Sequence, residues 1–322
     1  MLELNQLYNM DCMEGMKEIP NKSVNLIIAD PPYFRVKGEF DFVWDSFDEY
    51  LADVERWAIE FKRVLAENGT LFIYGHAKRI AYIQVRVDKY FTLLNNLVWN
   101  KGEFMGLNES EGLRTFAPCT ERLLMYGSAE HDLTGLEFIE KEYIAPRNPF
   151  AVELKKARAE RGVSVNNVAR YGHFYGNVNH GGAVTNWERG YNIPSSLQWS
   201  ILCEYLPIKR QEYEELRQEY EELRRPFNNQ FNLQEILNFS NEAGKNGNKN
   251  HETVKPEKLT RALILTCSRD NDLVLIPFAG SGTECAMAVK EGRRFIGFEI
   301  DKDYYEAASK RIENHKLQLK LF

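Results

Sequence analysis

Four consecutive residues, "DPPY" (Asp30, Pro31, Pro32, Tyr33), place a carboxylate, a proline carbonyl and an aromatic ring at the end of the apolar run "SVNLIIA". Proline has no backbone N–H, so the carbonyls here project without competing donors. The set suits an exocyclic amino group on a planar base. Asp30 and the Pro31 carbonyl accept its two protons while Tyr33 stacks on the ring. Holding those protons draws the nitrogen lone pair out of ring conjugation and aims it at an electrophile. Taken alone, the tetrapeptide also suits an Asp that caps a turn stiffened by two prolines. The aromatic-rich stretch "EFDFVWDSF" follows, and Phe40, Phe42, Trp44 and Phe47 suit either closure over a flat substrate or packing under the next helix.

A second constellation lies near the other end of the chain. In "LIPFAGSGTE" the residues Phe278, Ala279, Gly280, Ser281, Gly282 and Thr283 join a strand to a helix, where backbone N–H groups and missing Cβ atoms admit a ligand closely. A lone Gly-x-Gly is weak evidence. "FIGFEID" strengthens it, because Glu299 ends the next strand near the ~20-residue offset at which an acid bonds ribose hydroxyls. The third glycine of a dinucleotide grip is replaced by Cys285. An adenosine cofactor without phosphates fits better, and S-adenosylmethionine carries the electrophilic methyl that Asp30 chemistry needs.

The elements that must position these groups read as an α/β fold. "SVNLIIAD", "NGTLFIYG", "TLLNNLVWNKG" and "ERLLMYG" are predicted strands, with helices over 48–66 and 78–89 between them. After a mostly helical, polar stretch the rhythm resumes: a helix over 257–267, the strand "DLVLIP", the glycine turn, a helix to about 291, the strand "RFIGFEI" and a helix over 303–313. Strand alternating with helix predicts a parallel, Rossmann-like sheet interrupted by an insertion. The expected division is 1–132 for the catalytic half, 133–250 for the insertion and 251–322 for the cofactor half. "QEYEELR" occurs twice in succession, at 211–217 and 218–224, which puts Tyr213, Leu216, Tyr220 and Leu223 on one stripe of a helix expected over 209–225. Two heptads suit docking on the body or contact with a second copy in a homodimer.

With a net charge of −6, the 322-residue chain does not advertise nucleic-acid binding, so any such surface must be local. Its five scattered cysteines form no C-x-x-C pair, and the histidines show no ligand spacing, so no metal site is expected. No targeting region or membrane span is recognised, and a cytoplasmic location is expected.

At this point the sequence resembles the β-arranged amino-methylating DNA methyltransferases, in which "DPPY" precedes "FxGxG". "LYNMDCMEGMKEIPNKSVNLIIADPPY" looks like the N-terminal block of that family, and the stretch from "HETVKPEKL" through "KDYYEAASKRI" looks like its C-terminal block. The resemblance implies a methyltransferase sheet with circularly permuted motif order. It implies that Asp30, Pro31, Pro32 and Tyr33 hold a flipped base, that residues 278–283 line the S-adenosylmethionine pocket, and that Glu299 takes the ribose. Asp11 and Cys12 fall where the family contacts adenine, and Thr253 and Lys255 fall where it holds the methionine end. Ile276 departs from the pattern, since the family usually has an acid before "PF".

The insertion resembles a phage-repressor-type helix-turn-helix over 151–206, in two halves separated by a glycine- and aromatic-rich loop. Lys155, Lys156 and Arg158 of the basic first half suit phosphate contacts. Thr185, Asn186 and Arg189 of an expected recognition helix over 184–189 suit base edges or phosphates. A packed Trp187 with a capping Gly190 is compatible with that reading. The resemblance therefore implies site-specific methylation of adenine N6 in double-stranded DNA by base flipping and direct transfer, with a restriction endonuclease as a compatible partner. Methylation of cytosine N4 is the alternative; that branch more often carries Ser where Asp30 stands. A non-catalytic helix-turn-helix regulator would leave both chemical motifs idle.

Overall fold

In the computed structural model, residues 2–36, 39–102, 116, 118–128, 148–174, 182–240 and 254–319 are described. The elements in chain order begin with β1 (Gln6–Asn9), α1 (Cys12–Met16), β2 (Val24–Ala29), α2 (Phe47–Val64), β3 (Leu65–Gly75), α3 (Ile80–Val87), β4 (Thr92–Asn100) and β5 (Thr120–Gly127). Five helices follow: α4 (Pro149–Arg161), α5 (Val165–Gly172), α6 (Gly182–Glu188), α7 (Ser196–Tyr205) and α8 (Tyr213–Leu223). The chain ends through β6 (Ile236–Asn238), α9 (Glu257–Cys267), β7 (Leu273–Ile276), α10 (Thr283–Lys290), β8 (Arg294–Glu299) and α11 (Lys302–Leu319). Two compact units result, Met1–Glu130 with Arg225–Phe322, and His131–Arg224.

The first unit is built on an eight-stranded sheet of order β1-β8-β7-β2-β3-β5-β4-β6. Its central strands alternate between two cores. Ile27, Ala29, Leu71 and Ile73 face a cluster with α2 and α3, whereas Leu26, Ile28, Phe72 and Tyr74 face one with α9, α10 and α11. Burial on both faces is why these strands read as continuous apolar runs rather than alternating ones. The expectation of an all-parallel sheet needs correction. β5 runs antiparallel to both β3 and β4, while the other pairings are parallel. Reversal lets the chain return beside β4 without the crossover that a parallel neighbour requires.

A further correction concerns the insertion. Residues 225–240 belong to the sheet unit, because β6 pairs with β4 and Leu237 is buried in the second core. Phe239 accepts a hydrogen bond from Trp99 Nε1 at 2.8 Å, and Asn228 N donates to the Thr266 carbonyl at 2.8 Å. The short strand β1 and helix α1 are also additions to the predicted elements. Gly15 lets α1 approach the sheet, since a Cβ there would lie 2.2 Å from the Phe298 ring.

The second unit packs its helices around Phe150, Leu154, Val168, Val184, Trp187, Trp199 and Leu216. Local signals set its helix ends. Asn148 caps α4, Ser164 with Asn167 and Ser195 with Gln198 form capping boxes, and Gly162 ends α4 in the left-handed region at φ 70°. The heptad repeat forms α8, which begins and ends inside the expected span. Leu216 is buried, Tyr213 and Tyr220 pack partly against the same core, and Leu223 stays exposed.

Candidate active site

The sheet order places the two chemical constellations side by side. From β2 the chain moves outward through β3 on one side, and β7 continues to β8 on the other. The C-terminal ends of β2 and β7 therefore flank a switch point, where open α/β sheets bind ligands. Leu26 pairs with Val274 and Ile27 with Leu275, so Asp30 and Phe278 leave the sheet on neighbouring strands.

Asp30 is held on both oxygens. Tyr33 donates its hydroxyl to Oδ1 at 2.8 Å, and the Lys255 ammonium lies 2.6 Å from Oδ2. Tyr33 thus orients the carboxylate in addition to presenting a ring. Each carboxylate oxygen retains a second lone pair, so Asp30 can still accept from an amine. Asp41, almost fully buried, accepts the Tyr33 backbone N–H and fixes the turn after the prolines. Pro31 is buried and Pro32 half-buried.

Lys255 is 4% exposed. Burial alone would lower its pKa, but Asp30 and Glu121 raise it, and the ammonium is held charged. Glu121 Oε2 lies 3.3 Å from it, and Lys101 pairs with the same carboxylate. Burial pushes the Glu121 carboxyl up, yet Lys255 and Lys101 outweigh it and hold the group below the usual carboxylate range. The Tyr74 ring centroid is 4.7 Å and that of Trp99 5.8 Å from the ammonium, so aromatic faces complete its surroundings. Expected near the methionine end of a cofactor, Lys255 is placed on Asp30, because an ammonium this buried requires a counter-charge. Thr253, its expected companion, lies outside the described residues.

The glycine turn meets Glu299 directly. Gly280 N donates to Oε2 at 2.7 Å and Asp301 N to Oε1 at 2.9 Å, which aims the carboxylate at the turn. Gly280 has φ +47° with open space where a Cβ would stand; Gly282 has φ +74°, and a Cβ there would meet that of Ala308 at 2.8 Å. Both positions need glycine, the second for close packing of α11. Phe278, Gly280 and Ser281 are partly exposed, whereas Ala279, Gly282 and Thr283 are buried. The Thr283 hydroxyl accepts from Arg311 at 2.9 Å, so it secures the turn from behind. Ile276 is fully buried in the apolar core, which leaves the end of β7 without an acid.

β1 lies beside Glu299 at the edge of the sheet. Asn9 pairs with Glu299 across the strands and donates its Nδ2 to the Glu299 carbonyl at 2.9 Å. Asp11 then caps α1, accepting from Met13 N at 2.7 Å. Cys12 is buried among apolar side chains, and burial, reinforced by Asp11, pushes its thiol pKa up. The aromatic stretch after Tyr33 behaves largely as core. Trp44 is buried with its Nε1 bonded to Asp53 at 2.8 Å, and Phe47 packs on Phe34 and Tyr50; Phe42 is exposed, and the Phe40 side chain lies outside the described residues.

Sequence reasoning does not single out Glu121 or Tyr74 as site residues. The one available signal for Glu121 is a charge at the head of the otherwise apolar strand "ERLLMYG".

A family model described as DNA methylase, of the N6/N4 methyltransferase class, matches residues 24–310. The chain is an N6/N4-class DNA methylase. The methylase is 28% identical over 97% of its length to the type II methyltransferase M.HinfI of Haemophilus influenzae, covering 69% of that protein. It is 27% identical to M1.MboII of Moraxella bovis, with 96% of each chain covered. It is also 27% identical to the DNA adenine methyltransferase YhdJ of Escherichia coli, covering 97% of this chain and 83% of that one. Among solved structures, a DNA modification methylase of Thermus thermophilus complexed with S-adenosyl-L-methionine shares the fold at TM-score 0.52, 19% identity and 96% and 93% coverage. The cytosine-N4-specific PvuII DNA methyltransferase shares it at TM-score 0.55, 16% identity and 97% and 89% coverage. The α/β methyltransferase fold expected of the sequence is the fold observed.

The second unit of the methylase distributes its expected DNA-contacting residues unevenly. Lys155 and Lys156 are exposed on α4, and Arg189 is exposed just after α6, which begins two residues earlier than the expected recognition helix. Thr185 and Asn186 are partly exposed. Arg158 departs from its expected role. It forms a two-pronged ion pair with the buried Glu188 and donates to the Val163 carbonyl at 2.9 Å, so its guanidinium ties α4 to α6. Trp187 is buried against Phe174, and Gly190 follows at φ +75°. Much of the loop expected between the two halves lies outside the described residues.

No helix among the described residues is long and apolar enough to cross a membrane. No group of three or more His, Cys, Asp or Glu among them is placed to hold a metal ion.

Proposed function

We propose that this methylase transfers the methyl group of S-adenosylmethionine to the exocyclic N6 of adenine in duplex DNA. The observation that carries the reading is the pairing of Asp30 with Tyr33 and Lys255 at a strand end that adjoins the glycine turn and Glu299. Bound S-adenosylmethionine supplies an electrophilic methyl on a sulfonium sulfur. The residues fit it: Glu299 can accept ribose hydroxyls, and the open space beside Gly280 admits the nucleoside.

On the substrate side, Asp30 and the Pro31 carbonyl accept the two protons of the amine, and Tyr33 presents its ring to the base. This leaves the nitrogen lone pair free to point at the methyl. Transfer then needs no covalent enzyme intermediate. The chemistry works only on a base taken out of the stack, because neither proton acceptor reaches an amine paired within the duplex.

Adenine is favoured by Asp at the first position of the motif and by the likeness to a protein named a DNA adenine methyltransferase. Incubating the chain with S-adenosylmethionine and unmodified duplex DNA, then digesting to nucleosides, is expected to yield N6-methyladenine. N4-methylcytosine as the product would assign the activity to the alternative class, and no methylated nucleoside would overturn the reading.

The second unit is assigned to the DNA surface through Lys155, Lys156 and the end of α6. Replacing both lysines by glutamine is expected to weaken binding on all sequences alike and to lower the salt slope of log K by about 2. An unchanged slope removes this face of α4 from the DNA contact.

A further inference from the structure

Glu284 follows the glycine turn into the first residues of α10, and it is 4% exposed. Its Oε1 atom is buried without a hydrogen-bond partner, and so is the hydroxyl oxygen of Tyr74, which sits at the end of β3 beside Lys255. A carboxylate withdrawn from water is tolerated when it is paired or protonated. The charged and titratable groups near enough to act electrostatically on Glu284 are Asp30 from the end of β2, Lys255 ahead of α9, Tyr74 from β3, Arg311 from α11 and its neighbour Cys285. Lys255 is already matched by Asp30 and Glu121, and Arg311 is engaged by Glu257 at 2.7 Å. Among the described residues, an ionised Glu284 therefore has no cation of its own. Burial, and after it the charge of Asp30, push its carboxyl up to about 7 against the weaker pull of Lys255 and Arg311.

We infer that Glu284 is the counter-charge for a cationic ligand group bound at the strand ends between the glycine turn and Asp30, ionising when the sulfonium cofactor enters and favouring it over its neutral thioether product. The inference rests on the proposed methyl transfer. In that reaction an N–C bond forms, the S–C bond breaks with its electron pair left on sulfur, and the amine releases one proton. The cation that Glu284 answered is gone; below about pH 7 Glu284 takes up the proton the amine loses, and above it that proton passes to solvent, so charge balances across the step. Below about pH 7 product release is then eased, because the thioether finds a neutral acid where the sulfonium found an anion.

S-adenosylmethionine and S-adenosylhomocysteine carry the same amino and carboxylate groups and differ in the sulfonium methyl. Their comparison cancels other groups that titrate on binding. Calorimetric titration of the full chain with each ligand, in buffers of different ionisation enthalpy at pH 6, 7 and 8, counts the protons exchanged. The sulfonium ligand is expected to release close to one proton at pH 6 and the thioether close to none. Affinity for the sulfonium ligand is expected to rise up to tenfold per pH unit below about 7 and to level off above it, since ionised Glu284 is the binding form. Glu284→Gln is expected to abolish that proton release and to narrow the preference for sulfonium over thioether about tenfold at pH 8. Equal proton counts for the two ligands in the unaltered chain overturn the inference whatever the variant does. So does proton release that persists in a folded Glu284→Gln protein. Failure of the unaltered chain to bind either ligand overturns the cofactor reading as well, which separates the two failures.

Discussion

Asp30→Ala is expected to lower methyl transfer to duplex DNA by about a thousandfold or more, the scale of losing a preorganised polar contact to the reacting group. The amine would lose its carboxylate acceptor, and with it the force that withdraws its lone pair from ring conjugation. Cofactor affinity is expected to change only a few-fold, because Gly280, Ser281 and Glu299 are positioned by β7, β8 and each other. Lys255 would keep Glu121 as a counter-charge, so the ammonium stays charged and the pocket does not collapse. Single-turnover transfer from labelled S-adenosylmethionine, together with equilibrium binding of that cofactor, separates the two effects. A variant that retains a tenth of the transfer rate would remove Asp30 from the reaction.

Lys255→Met carries the largest expected effect on stability. The ammonium answers both Asp30 and Glu121, and the pair it forms with Asp30 is buried on the lysine side. Removing one partner of a buried ion pair typically costs about 3–5 kcal/mol, because the remaining charge stays desolvated. Glu121 is held below the usual carboxylate range in the intact protein, so it contributes stability above about pH 4.5 that is lost as pH falls. In the variant only Lys101 remains to offset the burial of Glu121, so that contribution shrinks. The difference in unfolding free energy between variant and parent should accordingly be large at pH 8 and shrink as pH falls and Glu121 takes up a proton. Urea unfolding at pH 8 and at lower pH measures it. A difference below about 1 kcal/mol at pH 8 would show that Lys255 is not the charge that sustains this cluster.

What the sequence makes legible follows from where each signal is written. β2, β3, β7 and β8 are apolar on both faces, so their runs stand out, and the motifs at their ends are located with them. β1 and β6 are not visible, since a four-residue and a three-residue strand each bury a single apolar side chain, too little for any period to register. The reversal of β5 is invisible for another reason: alternation of side chains carries no strand direction. Glu121 and Lys255 meet only because β5 and the segment before α9 converge on Asp30, a proximity that spacing along the chain does not encode. Arg158 shows the opposite error. A basic residue on a basic helix reads as a phosphate contact until its acid partner on α6, Glu188, is seen beside it.

The pairing of β2 with β7 bears on how the chain reaches this state. Asn25 and Leu273, hydrogen-bonded across the middle of the sheet, are 248 residues apart. At about 5–20 residues per second of synthesis, the strand that carries Asp30 waits on the order of tens of seconds for its neighbour. During that interval one long edge of β2 is unpaired, and β1 has no sheet to join until β8 emerges. Contacts of such long range slow folding and leave apolar strand edges exposed to other chains. Yield of native enzyme should therefore depend on keeping the nascent N-terminal half from aggregating, more than on the stability of the finished sheet.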